Sequence, residues 1–80
     1  MVISAQVSLY PLRQERLSPA LEVVKTAFEA HGLRPKVGAM STLVEGDIAM
    51  VFSALRDAFE QAAGMGQVVM TVTLSNACPV

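Results

Sequence analysis

The chain has 80 residues with a net charge of -1, and its 52% hydrophobic content allows one domain, residues 1–80, and excludes a disordered chain. Its six Lys and Arg residues are scattered, which argues against a nucleic-acid partner, and its single cysteine excludes an internal disulfide scaffold and fits a reducing compartment. No apolar run approaches the roughly 20 residues of a membrane span and no signal peptide is evident, so we expect a cytoplasmic protein with no membrane insertion.

The first predicted element is a strand over residues 2–10, where apolar and polar side chains alternate until Pro11. Ile3, Ala5, Val7 and Leu9 form its apolar face. Residues 12–17 carry three charges and are predicted to form a solvated loop. The side chains on the opposite, outer face of the strand are Ser4, Gln6, Ser8 and Tyr10.

A helix is predicted over 19–31, with Ser18 as its N-cap and Gly32 as a left-handed residue that ends it. Its apolar residues recur at helical spacing. Residues 33–37 follow as a short edge strand, because Pro35 and Lys36 discourage pairing between sheets.

Residues 40–45 are predicted to form the third strand, and Gly46 and Asp47 open a second helix that ends at residues 64–66. If its large apolar residues face the core, Phe52→Ala should cost about 3–5 kcal/mol of stability. The side chains predicted to face the core from this helix are Ile48, Val51, Phe52, Leu55, Phe59 and Ala62.

Residues 68–74 alternate again and form the last strand, followed by a tail over 75–80. The order βαββαβ predicts an α+β, ferredoxin-like fold: an antiparallel four-stranded sheet of order 4-1-3-2 with two helices on one face. In the last strand, Val69, Thr71 and Thr73 are predicted to face outward, and Val68, Met70, Val72 and Leu74 inward.

Catalysis has little support in the sequence. The only histidine, His31, ends a predicted helix, where a positive charge is favourable, and Cys78 lies in the tail. Neither a metal-ligand cluster nor a phosphate-binding glycine motif is present. An acylphosphatase-like enzyme would need a glycine-rich anion loop beside Arg13 or Arg16, which is missing. We therefore predict no enzyme and no metal.

The side chains predicted to lie on the outer sheet face are mostly short, uncharged and rich in hydroxyl groups. The whole chain has 16% charged residues, where about 25% is usual. This face is either a surface of strand-favouring residues or a surface buried by a second sheet or a small ligand. We expect burial, and hence a homodimer or homotetramer formed through the sheet.

The third strand carries two hydroxyls and a carboxylate within five residues. Ser41, Leu43 and Glu45 alternate onto one face, while Met40, Thr42 and Val44 occupy the other. A glutamate on a central strand needs a partner, so Glu45 either contacts a ligand or, with Asp47, caps the second helix.

Residues 5–11 (AQVSLYP) and residues 37–47 (VGAMSTLVEGD) together resemble the small thiamine-binding family, whose members bind thiamine or its hydroxymethylpyrimidine moiety. The resemblance extends over residues 2–74. It implies a ferredoxin-like fold, dimers or tetramers assembled through sheets, and a pocket between strands and helix. Gln6 stands where many relatives carry glutamate. The residues expected to bind the ligand are Gln6, Ser8, Tyr10, Met40, Ser41, Thr42 and Glu45.

We therefore predict a non-enzymatic binding protein for thiamine or hydroxymethylpyrimidine, with no other cofactor. The alternative is a ligand-free interaction or regulatory module that uses the open sheet face. If Glu45 holds the cationic thiazolium, Glu45→Gln should lose thiamine and retain hydroxymethylpyrimidine. If Glu45 contacts the pyrimidine, both affinities should fall alike, and if it caps the helix, neither affinity should change.

Overall fold

The computed structural model describes residues 1–12 and 18–77. Its sheet is antiparallel with the order β2-β3-β1-β4, which confirms the predicted ferredoxin-like βαββαβ fold and the 4-1-3-2 strand order. Among the described residues, no helix is long and apolar enough to cross a membrane. The elements are β1 (Val2–Pro11), α1 (Ser18–Ala30), β2 (Lys36–Val37), β3 (Thr42–Asp47), α2 (Ile48–Ala63) and β4 (Val68–Ser75).

Strand β1 lies at the centre of the sheet and alternates as predicted. Its apolar side chains are buried against the helices, whereas its polar side chains lie on the open face. Pro11 is the last residue of β1, one position beyond the predicted end, where it is paired with Val68. The largest fully buried side chains come from the helices: Phe28 and Val24 of α1, and Val51 of α2.

The end of α1 explains why the next strand is shorter than predicted. Gly32 has a φ of 78°, and the amides of Gly32 and Leu33 donate to the carbonyls of Glu29 and Phe28 at 3.0 Å each. This left-handed cap turns Leu33 into the core, where it is buried. The predicted strand over 33–37 is therefore reduced to the two residues of β2.

Strand β3 begins two residues later than predicted and runs through Asp47. The amide of Gly38 donates to the carbonyl of Ser41 at 2.8 Å, so Met40 and Ser41 belong to the turn between β2 and β3. We call residues 38–41 the hairpin turn. Within β3, Thr42 and Val44 face the core while Leu43 and Glu45 face outward, as the alternation predicts.

Helix α2 buries only part of the predicted arc: Val51, Leu55 and Ala62 face the core as expected. Phe52 is 49% exposed and Phe59 is 43% exposed, so the prediction that they face the core is wrong, as it is for the half-exposed Ile48. Ala54 and Ala58 are fully buried instead, because small side chains let α2 pack closely on α1 and the sheet. The residues buried along α2 are Val51, Ala54, Leu55, Ala58 and Ala62.

The ends of the helices carry the polar contacts. Asp47 is the N-cap of α2, because its side chain accepts a hydrogen bond from the amide of Ala49 at 3.1 Å. His31 follows α1 instead of ending it, and its Nε2 atom contacts the carboxylate of Asp57 on α2 at 2.5 Å. Arg13, Arg16 and Cys78 lie outside the described residues.

Candidate functional site

Strand β1 pairs with its two neighbours, β3 and β4, over different lengths, and we call each set of pairs a ladder. Pairing with β3 runs from Val2 opposite Asp47 to Val7 opposite Thr42, and then stops. Pairing with β4 continues to Pro11. The last four residues of β1 therefore have no β3 neighbour, and the sheet contains a gap at this end.

Hydrogen bonds beyond the ends of the ladders show which backbone groups face this gap. Leu12 donates to the carbonyl of Gln67 beside β4 at 2.8 Å, and Ile48 donates to the carbonyl of Met1 at 2.9 Å. Because antiparallel hydrogen-bonded pairs alternate along a strand, even-numbered residues of β1 pair with β4 and odd-numbered ones pair with β3. The N–H and C=O groups of Leu9 consequently point into the gap.

A cleft of about 160 Å³ occupies the gap. An apolar cavity of roughly 150 Å³ is large enough to hold benzene, so this cleft has the size of one six-membered ring. Among the described residues, none of the side chains that line it is charged. The lining residues come from β1, α1, β2, the hairpin turn and the start of β3: Val7, Ser8, Leu9, Tyr10, Leu21, Val24, Val37, Gly38, Ala39, Met40, Ser41 and Thr42.

Two side chains of β1 hold the hairpin turn over the cleft. The Ser8 hydroxyl donates to the carbonyl of Met40 at 3.2 Å, and the Gln6 amide nitrogen donates to the Ser41 hydroxyl at 3.1 Å. Three of the polar side chains predicted to contact a ligand are thus bonded within the protein. They can fix the shape of the cleft as well as touch what it contains.

Thr42 contributes the most enclosed polar group. It is 5% exposed, the only buried polar residue in the described part of the chain, and it lines the cleft from the first position of β3. A buried hydroxyl is both a donor and an acceptor of hydrogen bonds. It can therefore orient a polar ring that enters an otherwise apolar space.

The structure brings most of the predicted site residues together, and two lie apart. Gln6 does not line the cleft but contacts the turn, and Glu45 lies on the open face opposite Ser4, where it is exposed. Of the pair predicted to cap α2, Asp47 provides the cap. The residues that do line the cleft are Ser8, Tyr10, Met40, Ser41 and Thr42.

Sequence reasoning missed the apolar wall and the backbone of the site. Leu21 and Val24 line the cleft from α1, and Val37 lines it from β2. The helical spacing of Leu21 and Val24 predicted core packing alone, and Val37 was predicted only to lie in an edge strand. The backbone of Leu9 could have been found only by comparing the lengths of the β1 and β3 ladders, because no side-chain pattern marks it.

Solved structures with low sequence identity share this fold. A hypothetical protein from Methanocaldococcus jannascii is 23% identical with a TM-score of 0.87, over 96% of this chain and 81% of its own. A Streptococcus pneumoniae protein is 21% identical with a TM-score of 0.85, over 94% and 86%. A candidate thiamine biosynthesis/salvage protein from Thermotoga maritima is 14% identical with a TM-score of 0.81, over 92% and 82%.

No curated protein sequence matches the chain. The model of one family, the YKOF-related family, matches residues 2–80. This match spans both ladders of β1, the hairpin turn and every residue that lines the cleft. The chain therefore belongs to the YKOF-related family.

Proposed function

We propose that this protein binds thiamine or its hydroxymethylpyrimidine moiety without catalysing a reaction, and that the pyrimidine ring occupies the cleft. The observation that carries the proposal is a cleft of single-ring size whose described lining residues are uncharged, with the backbone of Leu9 and the hydroxyl of Thr42 at its polar points. Family membership and the fold shared with the Thermotoga maritima protein support it. We further propose a cytoplasmic location, which the single cysteine supports.

The chemistry of the pyrimidine matches these groups. Its exocyclic amine is a donor, and the adjacent ring nitrogen is an acceptor. The two can pair with the C=O and N–H of Leu9 as a neighbouring strand would. The flat faces of the ring then lie against aliphatic side chains such as Val24 and Met40. The cleft holds one ring, so the thiazolium of thiamine would remain at its mouth.

Deleting the Thr42 hydroxyl should weaken binding. Thr42→Val keeps the shape of the side chain, and the loss of one buried hydrogen bond should lower the affinity for hydroxymethylpyrimidine about 10- to 100-fold. Isothermal titration calorimetry with the pyrimidine and with thiamine measures the effect. Glu45→Gln is the matched control, because Glu45 does not line the cleft, and both of its affinities should equal those of the wild type.

The backbone contact is tested from the ligand side. An analogue that carries a carbonyl oxygen in place of the exocyclic amine presents an acceptor to the C=O of Leu9, which is itself an acceptor, so this hydrogen bond is lost. It should bind about 10- to 100-fold more weakly than hydroxymethylpyrimidine. Equal affinities for the two compounds, or no binding of either ligand by the folded wild-type protein, would refute the proposal.

A ligand-free interaction module is the second candidate, and the composition of the open face favours it. The half of this face formed by β1 and β4 carries no charge, and the 47% exposed Leu43 lies on the adjacent β3. We propose that two copies pack face to face across this surface. Leu43→Lys should then halve the mass measured by sedimentation velocity without lowering the melting temperature of the dilute protein. An unchanged mass would contradict the proposal.

A further inference from the structure

All five methionines of the chain lie within the described residues, and Met40 is the most exposed of them. Its side chain is 80% exposed, against 73% for Met1, and Met50 and Met65 are about half as exposed as Met40. Met70 is partly buried against the core. Because an oxidant in solution reaches exposed methionine sulfur most easily, Met40 is expected to be among the first to react.

Met40 differs from the other methionines in its position. It lines the cleft from the hairpin turn. The similarly exposed Met1 lies beyond the opposite end of β1, where its ammonium nitrogen is 3.5 Å from the Asp47 carboxylate. In the described part of the chain, Met40 is therefore the one methionine that combines an accessible sulfur with a place in the candidate site.

The backbone of Met40 is held in place while its side chain is exposed. The Ser8 hydroxyl donates to the Met40 carbonyl, and the Gln6 amide donates to the hydroxyl of the adjacent Ser41. Neither hydrogen bond involves the Met40 side chain. A chemical change at the sulfur can therefore alter the lining of the cleft without requiring the hairpin turn to move.

Hydrogen peroxide changes this side chain in a defined way. The sulfur lone pair attacks one peroxide oxygen, so that an S–O bond forms and the O–O bond breaks. The departing hydroxide takes the proton of the transferred oxygen and leaves as water. The sulfur is oxidised by two electrons and the peroxide is reduced by two. The product, methionine sulfoxide, is polar where the thioether was apolar.

The apolar lining of the cleft makes this change consequential. Leu21, Val24 and Val37 line the same space as Met40, so a ring that enters lies against aliphatic groups and the thioether. Covering a sulfoxide oxygen with the ring would remove it from water without supplying a hydrogen bond, which is unfavourable. The oxidised cleft should therefore bind an uncharged ring less tightly than the reduced cleft.

We propose that Met40 is a reversible oxidation site that controls the cleft. Hydrogen peroxide converts its thioether to the sulfoxide and lowers the affinity for hydroxymethylpyrimidine, and a thiol-dependent reductase restores it. In the reductive direction two thiols become a disulfide, and the sulfoxide oxygen leaves as water. This inference rests on the proposed function, because hydroxymethylpyrimidine is the ligand whose binding is regulated.

Calorimetry before and after peroxide treatment tests the effect on binding. Cys78→Ser is the parent protein, so that no thiol is oxidised, and catalase removes the peroxide before hydroxymethylpyrimidine is added. Oxidation should lower the affinity about tenfold or more. The two methionine sulfoxide reductases, one for each sulfoxide epimer, should restore it. Met40→Leu in the same parent has no sulfur at this position, so its affinity should be equal before and after peroxide.

Peptide mass spectrometry tests the position of the sulfur. Saturating hydroxymethylpyrimidine should slow the oxidation of Met40 at least about threefold, because the ring covers part of its side chain. The oxidation rates of Met50 and Met65, which do not line the cleft, should not respond to the ligand.

The outcomes separate this inference from the proposed function. Regulation by Met40 is overturned, with the proposed function intact, if oxidation at Met40 leaves the affinity unchanged or if bound ligand leaves its oxidation rate unchanged. The same holds if Met40→Leu loses as much affinity on oxidation as the parent does. Failure of the reduced, folded parent to bind hydroxymethylpyrimidine would instead refute the proposed function, and this inference with it.

Discussion

Phe28→Ala is expected to remove about 3–5 kcal/mol from the free energy of unfolding. Phe28 is completely buried between α1 and the sheet, so truncation loses the transfer energy of the ring and leaves a cavity. A domain of this length has a total stability of roughly 4–12 kcal/mol, so the variant should be largely unfolded or close to it at 37 °C. Urea titration followed by circular dichroism measures the loss.

Phe52→Ala is the matched control for this prediction. Phe52 is half exposed, so the same truncation should cost about 1 kcal/mol, instead of the 3–5 kcal/mol expected when the sequence alone placed it in the core. Both variants should be compared at the same low protein concentration, so that only packing within one chain contributes to the difference. Equal losses for Phe28→Ala and Phe52→Ala would contradict the core described for this structure.

Gly46→Ala adds a single methyl group and should lower the free energy of unfolding by about 1–3 kcal/mol. A Cβ atom at position 46 would lie 2.6 Å from Cδ2 of Leu33, which the α1 cap has turned into the core. Because Gly46 of β3 has no side chain, the side chain of Leu33 can pack directly against the backbone there. A methyl group at position 46 therefore requires the end of the buried Leu33 side chain to move.

A double-mutant cycle isolates this contact. Leu33→Ala alone should cost about 2–5 kcal/mol, and adding Gly46→Ala to it should cost little more, because the space has already been opened. The coupling between the two substitutions should therefore equal most of the loss caused by Gly46→Ala alone. Losses that add to within about 0.5 kcal/mol would show that Leu33 and position 46 do not compete for space.

The sequence was sufficient to predict the order of the helices and strands along the chain. Period-two alternation identified β1 and β4, and Gly32 marked the left-handed end of α1. The buried arc of α2 was not predictable in the same way. Its large apolar residues cover more than one flank, and close packing on α1 selects Ala54 and Ala58 over Phe52 for the interior. Helical periodicity finds an apolar helix but not the direction it faces.

The candidate site was predictable in its polar side chains and not in its shape. Ser8 and Thr42 were identified from their strands, and both line the cleft. The cleft itself exists because β3 begins at Thr42, opposite Val7, after the hairpin turn. The predicted strand began at residue 40 and would have filled this space. The lengths over which β1 pairs with β3 and with β4 depend on contacts between residues far apart in the sequence. The pattern within a single strand therefore does not predict them.

The unequal edges of the sheet also determine how far the molecule can grow. A chain with two open edges can add copies at both sides and form a filament of unlimited length. Here β2 has only two residues, follows Pro35 and contains Lys36, so at most one edge of the sheet, that of β4, can accept another strand. A sheet extended through that edge would therefore contain two copies and no more. Protection of one edge is enough to exclude a filament built by sheet extension, although β4 itself carries no charge.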